Sequence, residues 1–471
     1  MDRTIGRLPA KLTFSVALRY EYNTAWTEGH GRFQNFDVAT QSFLPAGQTY
    51  NAPKTDFAPR IGFSWDPFGR GKTVVHGYGG IFYMPMQFGF GLVTNIPALS
   101  NYNVNVFQAI FANPPFSIAY PSPNPPLPAG TQNVNAFPRN PKDPYSTNWL
   151  FGVQQEVARN TVLTINYTGN KTQHMQAGVS FAAPNANPAN AVTFARQFSG
   201  FANENLNYDT LSSNYNALQV QLRRNVGRLT LETNYTWSHE IDDLVNVFGG
   251  WSDPLNPSID RGSGDWDVRH NLTASAVYNL PEFKNSGLLV RNAFGGWQTS
   301  SILQTRSGLP ANVQLISGFF GLPMRPDYVS GQSVYLSNVH WPDSSYNINA
   351  FAIEPTYNGQ WGQVIGTVGR NAVRGPAFFQ WDWSLMKNFP VTERLKLQFR
   401  ADLFNLLNHP NFGGPDAGIC TAVTAATTTS PASCTANPNF GRVGGTIADV
   451  NGSQIGTGTA RQAQFALKLM F

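Results

Sequence analysis

Apolar side chains recur at every second position in many separate segments of this chain, and this pattern restricts the fold more than any other feature. The last segment, RQAQFALKLMF, places Phe465, Leu467, Leu469 and Phe471 on one side and mostly polar residues on the other. Such alternation is typical of a β-strand with one apolar face. On its own, this strand fits a soluble sandwich and a membrane barrel equally well.

About twelve segments of roughly 9 to 13 residues alternate in this way, the length that a tilted strand needs to cross a hydrocarbon layer. Examples are KLTFSVALRYEYN near the start and RLKLQFRADLFN near the end. Short links alternate strictly with long loops, at about 23–56, 84–144, 168–213, 238–266, 306–376 and 405–460. Outer-membrane barrels have short periplasmic turns and long external loops. We therefore predict an all-β, antiparallel transmembrane β-barrel in the cell outer membrane, with both chain ends on the periplasmic side.

Composition supports a chain that is not wholly surrounded by water. Charged residues make up 13% of the sequence, against about 25% in ordinary soluble proteins, and aromatic residues also make up 13%. No stretch approaches the ~18 to 20 apolar residues of a membrane helix, and the N-terminus has no secretory signal pattern. The net charge is +5, but the basic residues are scattered, which argues against a nucleic-acid partner.

Several stretches, taken in order, resemble one known family. FAPRIGFSWDPFGRGKTVVHGYGGIFY, YTWSHEIDD, DVRHNLTASAVYNLP and LQFRADLFNLLNHPNFG are similar to the C-terminal barrel of Oar-like TonB-dependent outer-membrane receptors. The resemblance runs from about residue 7 to residue 471. It implies a barrel of about 22 strands with a plugged lumen. We expect residues 1–471 to be a partial receptor-like barrel domain, similar to the C-terminal half, without a plug domain or signal peptide.

The resemblance also implies a function and partners. The chain would serve uptake or binding of a bulky nutrient of the glycan, siderophore or peptide class, without a cofactor. Outer-membrane lipid and the barrel-assembly machinery would be its partners, and a plug and TonB only within a longer receptor. The last strand is similar to the C-terminal assembly signal, formed here by Phe465, Leu467, Leu469 and Phe471. In a closed barrel of this chain it would pair with the Leu12 to Tyr22 strand.

Two other functions remain open at this point. One is a plugless porin-like or adhesion barrel, and the other is a secreted, soluble all-β carbohydrate-binding protein or hydrolase. No Ser lies in a GxSxG motif, no carboxylate pair suggests acid/base chemistry, and the histidines lack metal-binding spacing, so we predict neither an enzyme nor a metal site. FGRGKT lacks the first glycine of a phosphate-binding loop, and we interpret it as a turn. SHEIDD is interpreted as a solvated loop edge rather than a cation site.

Polar residues of the alternating segments are the candidate site residues. They would face the lumen and pair across strands or contact a plug or solute; they are Arg19, Glu21, Arg60, Gln219, Arg223, Glu232, Arg269, Asp382, Arg400 and Asp402. The only cysteines, Cys420 and Cys434, enclose a Thr/Ala/Ser-rich stretch without strand periodicity. We predict that they form a disulfide, which would be worth ~3 kcal/mol for a loop of about 15 residues.

Overall fold

Twelve long strands form one large antiparallel sheet in the order of the sequence. The computed structural model describes residues 11–26, 35–45, 47–85, 132–182, 201–243, 257–283, 285, 287–316, 325–352, 366–392, 394–424, 433–447 and 460–471. Its wall strands are β1 (Leu12–Glu21), β2 (Asp56–Trp65), β3 (Thr73–Tyr83), β4 (Tyr145–Ala158), β5 (Thr161–Ala182), β6 (Phe201–Val226), β7 (Leu229–Asp242), β8 (His270–Asn279), β9 (Trp297–Arg306), β10 (Phe378–Pro390), β11 (Lys396–Phe404) and β12 (Gln462–Met470). The predicted all-β wall of about twelve antiparallel strands is confirmed.

Tight turns join the strands at one end of the sheet. The links between β4 and β5 and between β6 and β7 are two-residue turns with left-handed residues, Asn160 at φ 54° and Gly227 at φ 59°. Such residues give a hairpin the twist of its strands. Asp66, two residues before FGRGKT, accepts hydrogen bonds from the backbone N–H groups of Gly71 and Gly69, both over 2.8 Å, and from that of Phe68. These bonds hold the pKa of Asp66 below its usual value, and the segment is a turn as predicted.

The apolar faces of neighbouring strands lie on the same side of the sheet. Residues directly opposite in a ladder point the same way, and one such row runs Phe151, Tyr167, Leu218 and Trp237 across β4 to β7. Phe151 is 54% exposed and Trp237 is likewise 54% exposed. This outward face is therefore apolar and uncovered by protein, as a wall surrounded by lipid requires.

The hairpin of β5 and β6 is longer than the sequence pattern predicts. β5 has 22 residues and β6 has 26, whereas we expected a loop over 168–213. The ladder continues through segments rich in Asn, Thr and Ser, whose polar residues hide the alternation in the sequence. The predicted loop boundary is wrong there because backbone pairing persists after the apolar pattern ends.

The two ends of the sheet remain edges in the described part of the chain. β1 is paired with β2 and β12 with β11, and no ladder joins β1 to β12. The pairing of the last strand with the Leu12 to Tyr22 strand, which closure of this chain would need, is thus not present among these residues.

Short elements lie between the wall strands. The strands are Phe36–Asp37, Ser42–Phe43, Gln132–Ala136, Gly262–Ser263, Pro310–Ala311, Gln314–Ile316, Asp327–Tyr328, Phe351–Ala352, Val373–Arg374, Gly418–Thr424 and Ser433–Ala436, with 3-10 helices at Pro257–Asp260 and Ile348–Ala350. One helix, α1 (Leu288–Phe294), lies between β8 and β9. None of the helices among the described residues has the length and apolar character needed to cross a membrane.

Candidate functional site

The long links that follow β9 and β11 share one hydrophobic core, referred to here as the loop core. Its buried residues are Val313, Leu315, Tyr346, Ala350, Phe351, Val368, Val373, Ile419, Cys420 and Phe440. Gln314–Ile316 pairs in parallel with Gly418–Thr424, so two links that are distant in sequence are joined by backbone hydrogen bonds. Burial of the Tyr346 ring raises the pKa of its hydroxyl. The long-loop end of the barrel therefore carries a packed unit.

A disulfide lies at the edge of the loop core. The sulfur atoms of Cys420 and Cys434 are 2.00 Å apart and their Cα atoms are 5.5 Å apart. Each cysteine lies on a short strand, and the two strands, Gly418–Thr424 and Ser433–Ala436, pair antiparallel. The composition of this stretch predicted no strands. Gly418–Thr424 forms a strand without an alternating pattern because Thr and Val have high strand propensity. It also pairs on both sides, with Gln314–Ile316 and with Ser433–Ala436.

Buried ion pairs attach the loop core to the wall. We call this set the anchor cluster; it comprises His239, Asp242, Asp260, Asp265, Asp267, Arg269, Arg325, Arg370 and Arg374. Arg370 lies at its centre, with a side chain that is only 2% exposed. Its guanidinium pairs with the carboxylate of Asp242 at the end of β7 and donates to the backbone carbonyl of Asp260 over 2.8 Å. One loop side chain thus holds the ends of segments more than 100 residues away.

Asp267 is the second centre of the anchor cluster. Its carboxylate is 1% exposed and lies 3.2 Å from both Nδ1 of His239 and Nε of Arg269, and it also pairs with Arg374. Burial alone would raise the pKa of Asp267, but the backbone N–H of Glu240, 2.8 Å away, and the charge of Arg374 outweigh it and lower the pKa. Asp267 therefore stays ionised and holds wall strand and loop together.

The anchor cluster pairs charges of opposite sign. Four aspartates face four arginines, and burial together with the neighbouring aspartates raises the pKa of the adjacent Glu240. The Arg325 side chain is 2% exposed; its Nη2 lies 3.3 Å from Oδ1 of Asp260, as an ion pair, and donates to the carbonyl of Ile259 over 3.0 Å. Burial lowers the pKa of Arg325. The arrangement is suited to rigid attachment rather than to acid/base chemistry.

The segment LFNLLNHPNFG forms a tight corner at the top of β11. Asn405 and Asn408 adopt left-handed conformations, φ 49° and 54°, which Asn tolerates better than most residues. The Asn405 amide donates to the carbonyl of His409 over 2.8 Å, and Asn411 accepts the backbone N–H of Phe379 over 2.8 Å. The Asn408 side chain accepts the backbone N–H of Arg461, which leads into β12. The corner thus fixes the position of three strands.

Nine of the ten predicted lumen-facing residues lie on wall strands, and Arg269 immediately precedes β8. Several of them contact each other within the wall. Arg19 pairs with Glu21 at 2.8 Å, Arg223 with Glu232 at 3.5 Å, and Arg400 with Asp402 at 2.9 Å.

The remaining four contact other wall residues or lie in register with them. The guanidinium of Arg60 lies 4.2 Å from the centre of the Phe82 ring, and Asp382 accepts from Gln380 over 3.0 Å. Gln219 lies opposite Asn166 in the ladder, and Arg269 belongs to the anchor cluster. A role of these residues toward a solute stays a prediction.

The interpretation of SHEIDD as a solvated loop edge is wrong. His239 and Asp242 belong to β7, and both lie in the anchor cluster. The charged residues predicted a solvated loop, but β7 continues beyond its apolar segment as far as Asp242. Asp242 then pairs with Arg370 from a loop that is distant in sequence. Among the residues that the structure describes, no group of three or more His, Cys, Asp or Glu side chains could hold a metal ion.

The sequence-based reasoning missed Arg325, Arg370 and Arg374 entirely. They lie in Gly- and Pro-containing segments, GLPMRPD for Arg325 and GRNAVRGP for Arg370 and Arg374, without local alternation. A weak signal was available, because an arginine is rarely buried without a partner, and DVRH and SHEIDD offered carboxylates.

Comparisons with known proteins are consistent with this architecture. The family model described as the outer membrane beta barrel domain matches residues 7–464. No curated protein matches the sequence. Among solved structures, the chain is similar to the outer membrane transporter YddB from Escherichia coli, with 11% identity and a TM-score of 0.43 over 89% of this chain and 40% of that one.

Two further solved structures show the same kind of similarity. The FrpB iron transporter from Neisseria meningitidis has 12% identity and a TM-score of 0.40 over 90% of this chain and 43% of that one. The siderophore receptor PiuA from Acinetobacter baumannii has 8% identity and a TM-score of 0.39 over 98% and 41%. This chain spans less than half the length of each of the three proteins. Such similarity carries no inference about a ligand.

The family match covers nearly the whole chain and agrees with the twelve-stranded sheet and its outward apolar face. The family match therefore excludes a secreted, soluble all-β protein. The chain belongs to the outer membrane beta barrel domain family and is a protein of the outer membrane.

Proposed function

We propose that this chain is the barrel part of a TonB-dependent receptor that takes up or binds a bulky nutrient at its long-loop end. The observation that supports the proposal best is the loop core fixed to the wall by the anchor cluster. A folded unit on a rigid scaffold offers fixed side chains for recognition, which freely moving loops would not.

The motif segments behind the receptor resemblance support the same proposal. SHEIDD and DVRH supply carboxylates of the anchor cluster, and LFNLLNHPNFG supplies the corner above β11. These segments therefore build the attachment of the loop core. A plug domain and TonB enter the proposal only as parts of, or partners to, a longer receptor, and the proposed function involves no cofactor and no covalent chemistry.

The last strand has the features that the proposed assembly signal needs. Phe465, Leu467 and Leu469 lie on the outward face of β12, opposite Ala401, Phe399 and Leu397 of β11. They are 69%, 71% and 51% exposed, and Phe471 is 94% exposed. An apolar, accessible C-terminal strand is what the barrel-assembly machinery would recognise on this proposal.

Uptake by native host cells tests the proposal, because any plug domain and TonB that work with this barrel are then present. Cells in which the gene that encodes this chain is intact or deleted are given ferric siderophores, oligosaccharides or peptides, and uptake is measured before and after the proton motive force is dissipated. On the receptor proposal, one class is taken up at least tenfold faster with the protein, and this gain disappears without the force. Faster uptake of small solutes that persists after the proton motive force is dissipated would instead support the porin-like alternative.

A further inference from the structure

The link between β8 and β9 differs from the other connections at the short-turn end. It spans 280–296 and contains α1, whereas the links after β4 and β6 are two-residue turns. Gly295 caps the C-terminal end of the helix: its backbone N–H donates to the carbonyl of Arg291 over 3.1 Å. A Cβ added at Gly295 would meet the carbonyl oxygen of Glu282 at 2.3 Å, so the end of the helix is packed against its own link.

Two side chains of the outward wall face hold the C-terminal end of α1. The indole N–H of Trp297 donates to the carbonyl of Ala293 over 2.8 Å. The ammonium group of Lys387 donates to the carbonyl of Asn292. A positive charge at the C-terminal carbonyls of a helix is favourable, because these carbonyls carry partial negative charge. The helix therefore lies against the wall where Trp297 and Lys387 are.

Trp297 and Lys387 belong to the face that is directed toward lipid. In the ladders, Trp297 lies opposite Lys387, Lys387 opposite Phe399, and Phe399 opposite Leu467, so the four side chains point to the same side. Leu467 is 71% exposed on that side. The Trp297 ring also packs edge-on against Phe399 with centroids 6.1 Å apart. α1 is thus attached to the outside of the barrel.

The helix presents apolar side chains that the protein leaves uncovered. Leu289 is 87% exposed, Phe294 is 66% exposed and Val290 is 42% exposed. At 100° per residue these three side chains lie within one arc of about 140°, and Arg291 lies about 60° beyond the Phe294 end of that arc. An apolar stripe bordered by a basic residue is typical of a helix that lies in a membrane interface.

We infer that α1 is an interfacial anchor, which inserts Leu289, Val290 and Phe294 into the phospholipid surface at the short-turn end of the barrel. Short turns lie on the periplasmic side of outer-membrane barrels, and the helix lies against the wall face that continues into lipid. The occupant of its apolar stripe is accordingly the headgroup and acyl-chain boundary of the periplasmic leaflet. Lys387 can remain on a lipid-directed face because the C-terminal carbonyls of the helix and the Trp297 and Phe389 rings, 5.3 and 5.0 Å away, surround its charge.

Depth-dependent quenching of a single fluorescent label tests this inference. The only two cysteines form a disulfide, so a cysteine introduced under non-reducing conditions is the sole reactive thiol. Leu289→Cys and Phe294→Cys carry the label at the apolar stripe, and Asn285→Cys, in the exposed part of the same link, is the matched control. The full chain is placed in phosphatidylethanolamine and phosphatidylglycerol vesicles with or without lipids that carry a nitroxide near the headgroup.

The expected result is at least twofold stronger quenching and a blue-shifted emission at 289 and 294 relative to 285. Leu289 makes little contact with protein, so its replacement should leave the fold unchanged, and 294 gives an independent second position. Equal quenching at all three positions would overturn the inference. Protection of the labels at 289 and 294 from both the lipid quenchers and a water-soluble quencher such as iodide would also overturn it, because protein rather than lipid would then cover the stripe.

Discussion

Replacement of Arg370 by alanine should release the loop core from the wall. The substitution removes the guanidinium that pairs with the buried carboxylate of Asp242 and the bond to the carbonyl of Asp260. Removal of one partner of a buried ion pair costs about 3–5 kcal/mol. At about 1.4 kcal/mol per factor of ten, the local opening equilibrium should rise by roughly 10²- to 4 × 10³-fold.

Arg223→Ala is the matched control. Arg223 pairs with Glu232 at 3.5 Å, but the two side chains are 63% and 38% exposed, so the pair should contribute about 0–1 kcal/mol. The change in opening should then stay below about fivefold. The comparison separates the loss of a buried partner from the loss of an arginine as such.

Native-state hydrogen exchange in lipid vesicles measures both variants. Peptides covering 366–376 report the loop core, where the backbone N–H of Gly366 donates to the carbonyl of Arg325 over 2.9 Å. Peptides covering β11 report the wall. We expect Arg370→Ala to accelerate exchange in the first region and leave the second unchanged. If exchange at 366–376 stayed within fivefold of the unsubstituted protein, the anchoring role of Arg370 would be refuted.

Three further predictions concern the lipid face, the disulfide and pH. Val220→Arg, between Ile165 and Tyr235 on the outward face, should lower the free energy of unfolding in vesicles by ~2–4 kcal/mol, whereas Gln219→Arg should change it little; equal effects would contradict the assigned faces. Cys420→Ser should destabilise the loop core by ~3 kcal/mol and speed its proteolysis without loss of the wall; unchanged proteolysis would count against it. The lowered pKa of Asp267 means that its contribution is present above the unfolded pKa of about 3.9 and is lost as the pH falls through the lower folded pKa. The protection of 366–376, taken relative to the intrinsic exchange rate at each pH, should therefore fall in acid, and this fall should be smaller in Asp267→Asn.

The wall could be predicted from the sequence because its pattern is local. Alternation from Leu12 to Tyr20 already separates the two faces, and the ladder of β1 with β2 places Val16 opposite Ile61 on the apolar side. Lipid imposes this alternation on every strand, so a membrane wall has a readable sequence pattern. The end of β5 could not be predicted in the same way, because above the lipid its side chains need not alternate.

The anchor cluster could not be predicted because its contacts are not local. Arg370 and Asp242 are 128 residues apart, and neither residue has a neighbour in sequence that suggests the other. α1 was missed for a different reason: seven residues are too few for a helical period to stand out from an adjacent strand pattern. In both cases tertiary contacts, rather than intrinsic propensity, fix the structure.

Accessibility of spin labels along β4 tests the central claim most directly. Single labels at Phe151 and Val153 report the outward face, and labels at Leu150 and Gln154 report the opposite face of the same strand. In lipid vesicles, the membrane-wall account predicts high accessibility to oxygen at 151 and 153 and high accessibility to a water-soluble nickel chelate at 150 and 154. Chelate accessibility that is equal at all four positions, or higher at 151 and 153, would contradict a transmembrane wall with this apolar face in lipid.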